Sequence, residues 1–85
     1  MSTKLEPIIK LLEEVMEDRT VPRNIRTAIE SSKNYLQDTE KDDDVKLSSA
    51  VSTLDEIIND PNIPMYTRTQ IWNIVSMLES LKHES

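Results

Sequence analysis

With 85 residues and a net charge of −6, this chain can form one small domain, and its charge weighs against tight binding of a polyanion. Cysteine is absent, which excludes disulfides, zinc–thiolate sites and thiol nucleophiles, and we expect a reducing, cytoplasmic setting. Glycine is absent as well. Phosphate-cradling loops, dinucleotide-binding fingerprints and nucleophile elbows all need glycine, so the composition excludes these three kinds of site.

Four amphipathic helices follow one another along the chain, each marked by apolar residues at intervals of three and four. Four apolar stripes that share one core predict an all-α protein, here a four-helix up-and-down bundle. The core that we predict from these stripes consists of Leu5, Ile9, Leu12, Met16, Ile25, Ile29, Leu36, Leu47, Val51, Leu54, Ile58, Ile71, Val75 and Leu78.

Short connections join the helices. The segments Thr20-Val21-Pro22 and Asn62-Ile63-Pro64 precede the second and fourth helices, and proline is tolerated in a first helical turn. Either the first or the middle residue of each segment is the predicted N-cap. The longest predicted connection runs from Gln37 to Asp44, where we expect the carboxylates of residues 42–44 to cap the third helix and favour its dipole.

The second half of the chain repeats the first at an offset of 42 residues. The identical pairs are Leu12 and Leu54, Glu14 and Glu56, Asp18 and Asp60, Pro22 and Pro64, Arg26 and Arg68, Thr27 and Thr69, Ile29 and Ile71, and Leu36 and Leu78. A period near 40 is typical of a duplicated helix–turn–helix unit. We therefore expect a single domain, 1–85, built from two similar helical hairpins at about 4–37 and 43–82.

The stretches 18–26 and 54–64, the second continued by residues 68–72, resemble a small family of uncharacterised archaeal proteins of about 85 residues. The resemblance covers nearly the whole chain. It implies an all-helical fold with four helices in a bundle, and it brings no activity and no assigned site residues. A looser similarity is to HEAT-like helical repeats, but two repeats are fewer than an open solenoid usually needs, which favours a closed bundle.

Each predicted hairpin carries an aspartate at the end of its first helix and an arginine one turn into its second. The pairs are Asp18 with Arg26 and Asp60 with Arg68. An aspartate at a helix C-terminus opposes the helix dipole, so we expect a compensating partner. We interpret both pairs as structural clasps that close the hairpins, with a binding role as the alternative.

A basic stripe lies roughly opposite the core face of the second helix, interrupted by Glu30. Its members are Arg19, Arg23, Arg26 and Lys33. Nucleic-acid-binding proteins use such stripes to neutralise phosphates. Because only four cations are present and no aromatic residue lies among them, a solvated helix face is the main interpretation. An accessory nucleic-acid-binding role and the docking of an acidic partner are the alternatives.

The fourth helix carries apolar residues outside its core-facing stripe: Met65, Trp72 and Met77. Trp72 lies about 120° from the centre of the stripe, and Met65, seven residues earlier, lies on the same side. Either this helix is more deeply buried than the others, or Met65, Tyr66 and Trp72 form an exposed contact patch, because tryptophan, tyrosine and methionine are enriched at interfaces. In a protein this small, an extra apolar face favours self-association.

The remaining residues suggest no reaction centre. The acidic stretch 38–44 lacks the glycine and glutamate of a calcium-binding EF-hand loop, and His83 is the single histidine. We expect no metal, no cofactor, no small-molecule substrate, no membrane association and no enzyme activity. The predicted function is a non-catalytic helical protein-interaction module that binds a protein partner or a second copy of itself, and nucleic acid is the alternative partner.

Overall fold

The computed structural model describes residues 2–84, and the side chains of residues 4–83. Four α-helices make up this part of the chain: α1 (Ser2–Glu17), α2 (Arg23–Gln37), α3 (Asp43–Ile58) and α4 (Met65–Glu84). Connections of five or six residues make consecutive helices antiparallel. The helices pack in a closed ring in which α1 contacts α2 and α4, and α3 contacts the same two helices. The predicted all-α four-helix up-and-down bundle is thereby confirmed.

The core contains most of the predicted residues but is centred differently on α1. Ile8 and Val15 are buried, whereas the predicted Ile9 and Met16 are only partly buried and pack against the edge of the core. The same holds for Ile58 on α3. Neighbouring apolar residues on a helix differ in direction by about 100°, so when two of them compete for the core one must lie at its edge.

The turns contribute to the core as well. Val21 and Ile63, each next to a proline, are buried rather than capping a helix. Pro22 is the N-cap of α2 and has no side-chain capping bond, so the predicted capping by Thr20 or Val21 is wrong. The physical reason is that the carbonyl of Pro22 accepts the first helical hydrogen bonds, from the N–H groups of Ile25 and Arg26 at 3.1 Å.

The acidic connection between α2 and α3 is shorter than predicted. It spans residues 38–42, whereas residues 59–64 form the longer connection between α3 and α4. Asp42 is the N-cap of α3, but its side chain makes no capping hydrogen bond. Asp43 and Asp44 belong to the first turn of α3, where their charges favour the helix dipole.

A buried hydroxyl on α4 gives a testable expectation. Thr67 is 1% exposed, and among the described residues its Oγ1 atom has no hydrogen-bond partner. We expect Thr67→Val to raise the free energy of unfolding by about 1 kcal/mol, because it removes an unpaired polar atom and nearly preserves the shape. The residue at the matched position of the sequence repeat is the buried Ile25.

Urea denaturation followed by circular dichroism measures this change, and Ser32→Ala is the matched control. Ser32 is equally buried, but its Oγ donates to the carbonyl of Ala28 at 3.1 Å. Removal of that bonded hydroxyl should give no stabilisation. A loss of stability in Thr67→Val would contradict the expectation.

Candidate interaction surface

All three connections are built around an aspartate whose carboxylate accepts the backbone N–H two residues later. The N–H of Thr20 donates to Asp18 Oδ1 at 2.9 Å, that of Glu40 to Asp38 Oδ1 at 2.9 Å, and that of Asn62 to Asp60 Oδ1 at 2.8 Å. This is the Asx turn, which short polar side chains favour at the end of a helix. The sequence signal that could have identified it is an aspartate at the start of each connection.

Because the Asx turns engage the aspartates, the observed contacts differ from the predicted hairpin clasps between aspartate and arginine side chains. In the second hairpin Arg68 does join the turn to α4, but its Nη2 donates to the backbone carbonyl of Asp60, at 3.1 Å, rather than to the carboxylate. In the first hairpin Asp18 bonds to Thr20 instead of Arg26. Within residues 4–83, the Nε atoms of Arg26 and Arg68 are both buried without a hydrogen-bond partner. Both carboxylate oxygens of Asp60 accept other hydrogen bonds, and Asp18 accepts its hydrogen bonds from Thr20, so neither aspartate side chain is bonded to its predicted arginine.

The first and third connections meet at one end of the bundle. Nδ2 of Asn24, in the first turn of α2, donates to Asp60 Oδ2 at 3.1 Å. This contact links the two hairpins across 36 residues of sequence. Sequence reasoning missed Asn24 because nothing local marks a residue whose partner lies in the other hairpin.

The Asx turn at Asp18 also sets the protonation behaviour of its carboxyl. The Thr20 hydroxyl, which donates to Asp18 Oδ1 at 2.6 Å, and to a lesser extent the Thr20 N–H hold the pKa of Asp18 below its ordinary value of 3.8. Because the folded pKa lies below the unfolded one, the resulting stabilisation is present above pH 3.8 and is lost as the pH falls through the folded pKa.

We therefore expect Thr20→Val to raise the pKa of Asp18 toward 3.8, because valine keeps the backbone N–H but lacks the hydroxyl. An NMR pH titration of the Asp18 carboxyl carbon checks this. Thr20→Ser, which retains the hydroxyl, should leave the pKa low. The same pKa in the Thr20→Val variant and the unchanged protein would contradict the assigned cause.

The predicted basic stripe on α2 is not a continuous row of unpaired cations. Lys33 Nζ forms an ion pair with Glu13 Oε2 of α1 at 3.0 Å. Arg19 is exposed in the first connection. Arg23 and Arg26 line a groove of about 220 Å³ between α1 and α2, and the other lining residues are Met16, Thr27 and Glu30.

The three residues predicted as a contact patch on α4 are exposed. The exposed fractions are 81% for Met65, 71% for Tyr66 and 54% for Trp72. Deeper burial is therefore wrong for these three residues, whereas Met77 is partly buried against the core. We call Met65, Tyr66 and Trp72 the α4 patch. Met65 and Trp72 lie on one side of α4, whereas Tyr66 lies about 120° from Trp72 around the helix axis. Exposed apolar side chains that share one side of a helix mark a candidate contact surface.

The predicted repeat offset allows the α4 patch to be compared with residues of α2. At the offset of 42, Met65 and Trp72 match Arg23 and Glu30, two residues of the groove between α1 and α2. Other groove positions are similar or identical in the two hairpins, since Arg26 matches Arg68 and Thr27 matches Thr69. The two hairpins thus carry similar polar residues here but differ at two exposed positions, which are charged on α2 and apolar on α4.

Two further properties concern the described residues alone. No three of their histidine or acidic side chains come close enough together to hold a metal ion. None of the four helices combines the length and the apolar character needed to cross a membrane.

Comparison with known proteins identifies the family. Residues 1–81 match the model of the uncharacterised protein family UPF0147. The UPF0147 protein of Methanothermobacter thermautotrophicus is 48% identical over 75 residues, which are 88% of this chain and 74% of that protein. The UPF0147 protein TK2131 of Thermococcus kodakarensis is 43% identical and is matched over its whole length by 96% of this chain.

Solved structures agree with the sequence comparison. The crystal structure of MMP1188, a protein of unknown function, matches this chain with a TM-score of 0.90 at 51% sequence identity. The match covers 93% of this chain and 90% of the MMP1188 chain. A UPF0147 protein from Thermoplasma acidophilum has a TM-score of 0.89 at 36% identity, with 94% of both chains covered. The predicted resemblance to small, uncharacterised archaeal helical proteins is confirmed, and the chain belongs to the UPF0147 family.

Proposed function

We propose that this protein is a non-catalytic helical interaction module, and that the α4 patch is its contact surface. The observation that carries the proposal is the exposure of Trp72, which is more than half accessible to solvent although tryptophan is the largest apolar side chain in the chain. Aromatic side chains contribute most to binding when a partner covers them, and tryptophan is the residue most enriched at energetic centres of interfaces.

Two features support this choice of surface. Met65 and Trp72 lie seven residues apart on α4, so they share one side of the helix. At the predicted repeat offset of 42, the corresponding residues of α2 are charged, so the other hairpin carries no apolar residue at either place. A contact made by α4 and not by α2 accounts for the difference.

Photo-cross-linking tests the proposed function. A photoreactive benzoylphenylalanine at position 72 should form adducts with protein in cells that express this chain naturally, and the same residue at position 30 is the matched control on α2. The partner recovered must then bind the purified protein and bind Trp72→Ala at least tenfold more weakly. Equal yields of adduct from the two positions would refute the α4 patch as the contact surface.

A separate observation favours nucleic acid as a second candidate partner. All four arginines of the chain, Arg19, Arg23, Arg26 and Arg68, lie in the first connection or in the first turns of α2 and α4. The contact between Asn24 and Asp60 brings these segments to the same end of the bundle. Arginines grouped at one end can neutralise neighbouring phosphates even in a chain of net negative charge.

Fluorescence anisotropy with labelled RNA and DNA at low salt tests this candidate. Binding should weaken steeply as salt is added, and the double change of Arg23 and Arg26 to alanine should weaken it further. Lys41→Ala, in the connection at the opposite end, is the control and should bind like the unchanged protein. Absence of binding at low salt excludes this candidate function.

A further inference from the structure

Resting on the proposed function of the α4 patch, we propose that its partner is a second copy of this chain, bound with the two α4 helices antiparallel across a two-fold axis. Charged residues lie beside Trp72 on the same side of α4. Because an α-helix advances about 100° per residue, Met65, Arg68 and Glu79 all lie within about 40° of Trp72 around the helix axis. Met65, Trp72 and Glu79 are exposed and Arg68 is half-buried, so the four residues form one accessible face.

This face is complementary to itself in the antiparallel orientation. Arg68 and Glu79 lie about 16 Å apart along α4, on either side of Trp72. A two-fold axis that passes midway between them, beside residues 73 and 74, places Arg68 of each copy opposite Glu79 of the other. The two tryptophans then lie next to the axis, at the centre of the contact. Apolar anchors at the centre and charged pairs at the margin are the usual arrangement of a specific interface.

The contacts within one chain leave Arg68 and Glu79 available to bind a second copy, and they fix the position of Arg68. Arg68 is held by the bond from its Nη2 to the carbonyl of Asp60, which fixes its position beside the face before binding. Both Asp60 carboxylate oxygens bond elsewhere, so the Asp60 side chain does not satisfy this guanidinium. A positioned cation loses less conformational freedom on binding than a mobile one.

The matched face of α2 lacks the same complementarity. The residues there that correspond to Met65, Trp72 and Glu79 are Arg23, Glu30 and Gln37, so there is no apolar anchor and no acid at the last position.

The size of the protein is also compatible with a dimer. A standard interface covers about 800 Å² per partner, roughly one-seventh of the 5422 Å² surface of this protein. In a bundle of 33 × 19 × 18 Å, an interface of that area takes up the whole of one long side.

Sedimentation velocity over a range of concentrations tests the proposal. The unchanged protein should form a dimer, and Trp72→Ala should weaken the dimer about thirtyfold. Glu79→Lys should weaken it about tenfold, because lysine faces Arg68 of the other copy. The matched control Gln37→Lys places the same residue on α2 and should leave the dimer unchanged. Circular dichroism of each variant checks that the helices are retained.

A separate distance measurement tests the antiparallel orientation of the two α4 helices. Because the chain contains no cysteine, a single introduced cysteine can be labelled specifically. A spin label on His83→Cys should give a distance of about 30 Å between the two labels in the antiparallel dimer, and a parallel dimer would give about 10 Å. A short distance therefore overturns the proposal, as does a monomer at every concentration. If the monomer still forms cross-links to another protein from position 72, the proposed function stands and the second copy is not the partner. If neither occurs, both are wrong.

Discussion

Replacing Leu54 by alanine is expected to lower the free energy of unfolding by about 3 kcal/mol. Leu54 is completely buried in α3, and it packs in a core to which all four helices contribute. The loss has two parts: the transfer free energy of the deleted carbon atoms, and the cost of the cavity that the surrounding helices fill only in part. Because domains of this size have total stabilities of roughly 5 to 10 kcal/mol, this one change removes a large share.

Urea denaturation followed by far-ultraviolet circular dichroism measures the effect, and Leu12→Ala is the informative companion. Leu12 matches Leu54 in the sequence repeat, lies in the other hairpin and is also completely buried. Because α1 packs against α4 and closes the ring, both variants should unfold in a single transition with similar losses. Glu14→Ala, exposed on α1, should change stability by less than about 0.5 kcal/mol. Two separate transitions, one per hairpin, would contradict a shared core.

The helices and most of the core could be predicted because apolar periodicity reports which side of a helix is buried. Leu12, Ile29 and Leu54 lie at the centres of their stripes and are fully buried as expected. The prediction of buried residues was less accurate at the edges of the apolar stripes. Ile8 and Ile9 are adjacent and equally apolar, and only the packing of neighbouring helices decides which of them enters the core.

The candidate site was less predictable for a related reason. Trp72 lies on the flank of α4, where a side chain is either covered by a neighbouring helix or exposed, and the sequence of one helix does not tell which. The hydrogen bonds of the turns were hidden too. Asp18 bonds to Thr20 rather than to the predicted Arg26, because a donor two residues away costs little chain entropy to recruit.

The turns contribute to the stability of the fold, and Asp60 is the clearest example. Replacing Asp60 by alanine is expected to lower the free energy of unfolding by about 2 kcal/mol. The change removes the acceptor for the Asn62 N–H, at 2.8 Å, and the acceptor for Asn24 Nδ2, at 3.1 Å. Loss of the side-chain acceptor in the Asx turn should cost about 1 kcal/mol, as the loss of a helix cap does. Loss of the charge-assisted hydrogen bond from Asn24 should add about as much. The bond from Arg68 to the Asp60 carbonyl is made by the backbone and should survive the substitution.

A double-mutant cycle between Asp60→Ala and Asn24→Ala separates the two contributions in urea denaturation. Their coupling should be about 0.5 to 1 kcal/mol, because the bond between the hairpins is exposed to water. Asp60→Asn is the control: its amide oxygen can still accept the Asn62 N–H, so it should retain most of the turn. Asp38→Ala should cost less than Asp60→Ala, because the Asp38 carboxylate accepts only the N–H of Glu40. Equal losses for these two alanine variants would mean that the contact between Asn24 and Asp60 adds nothing to stability.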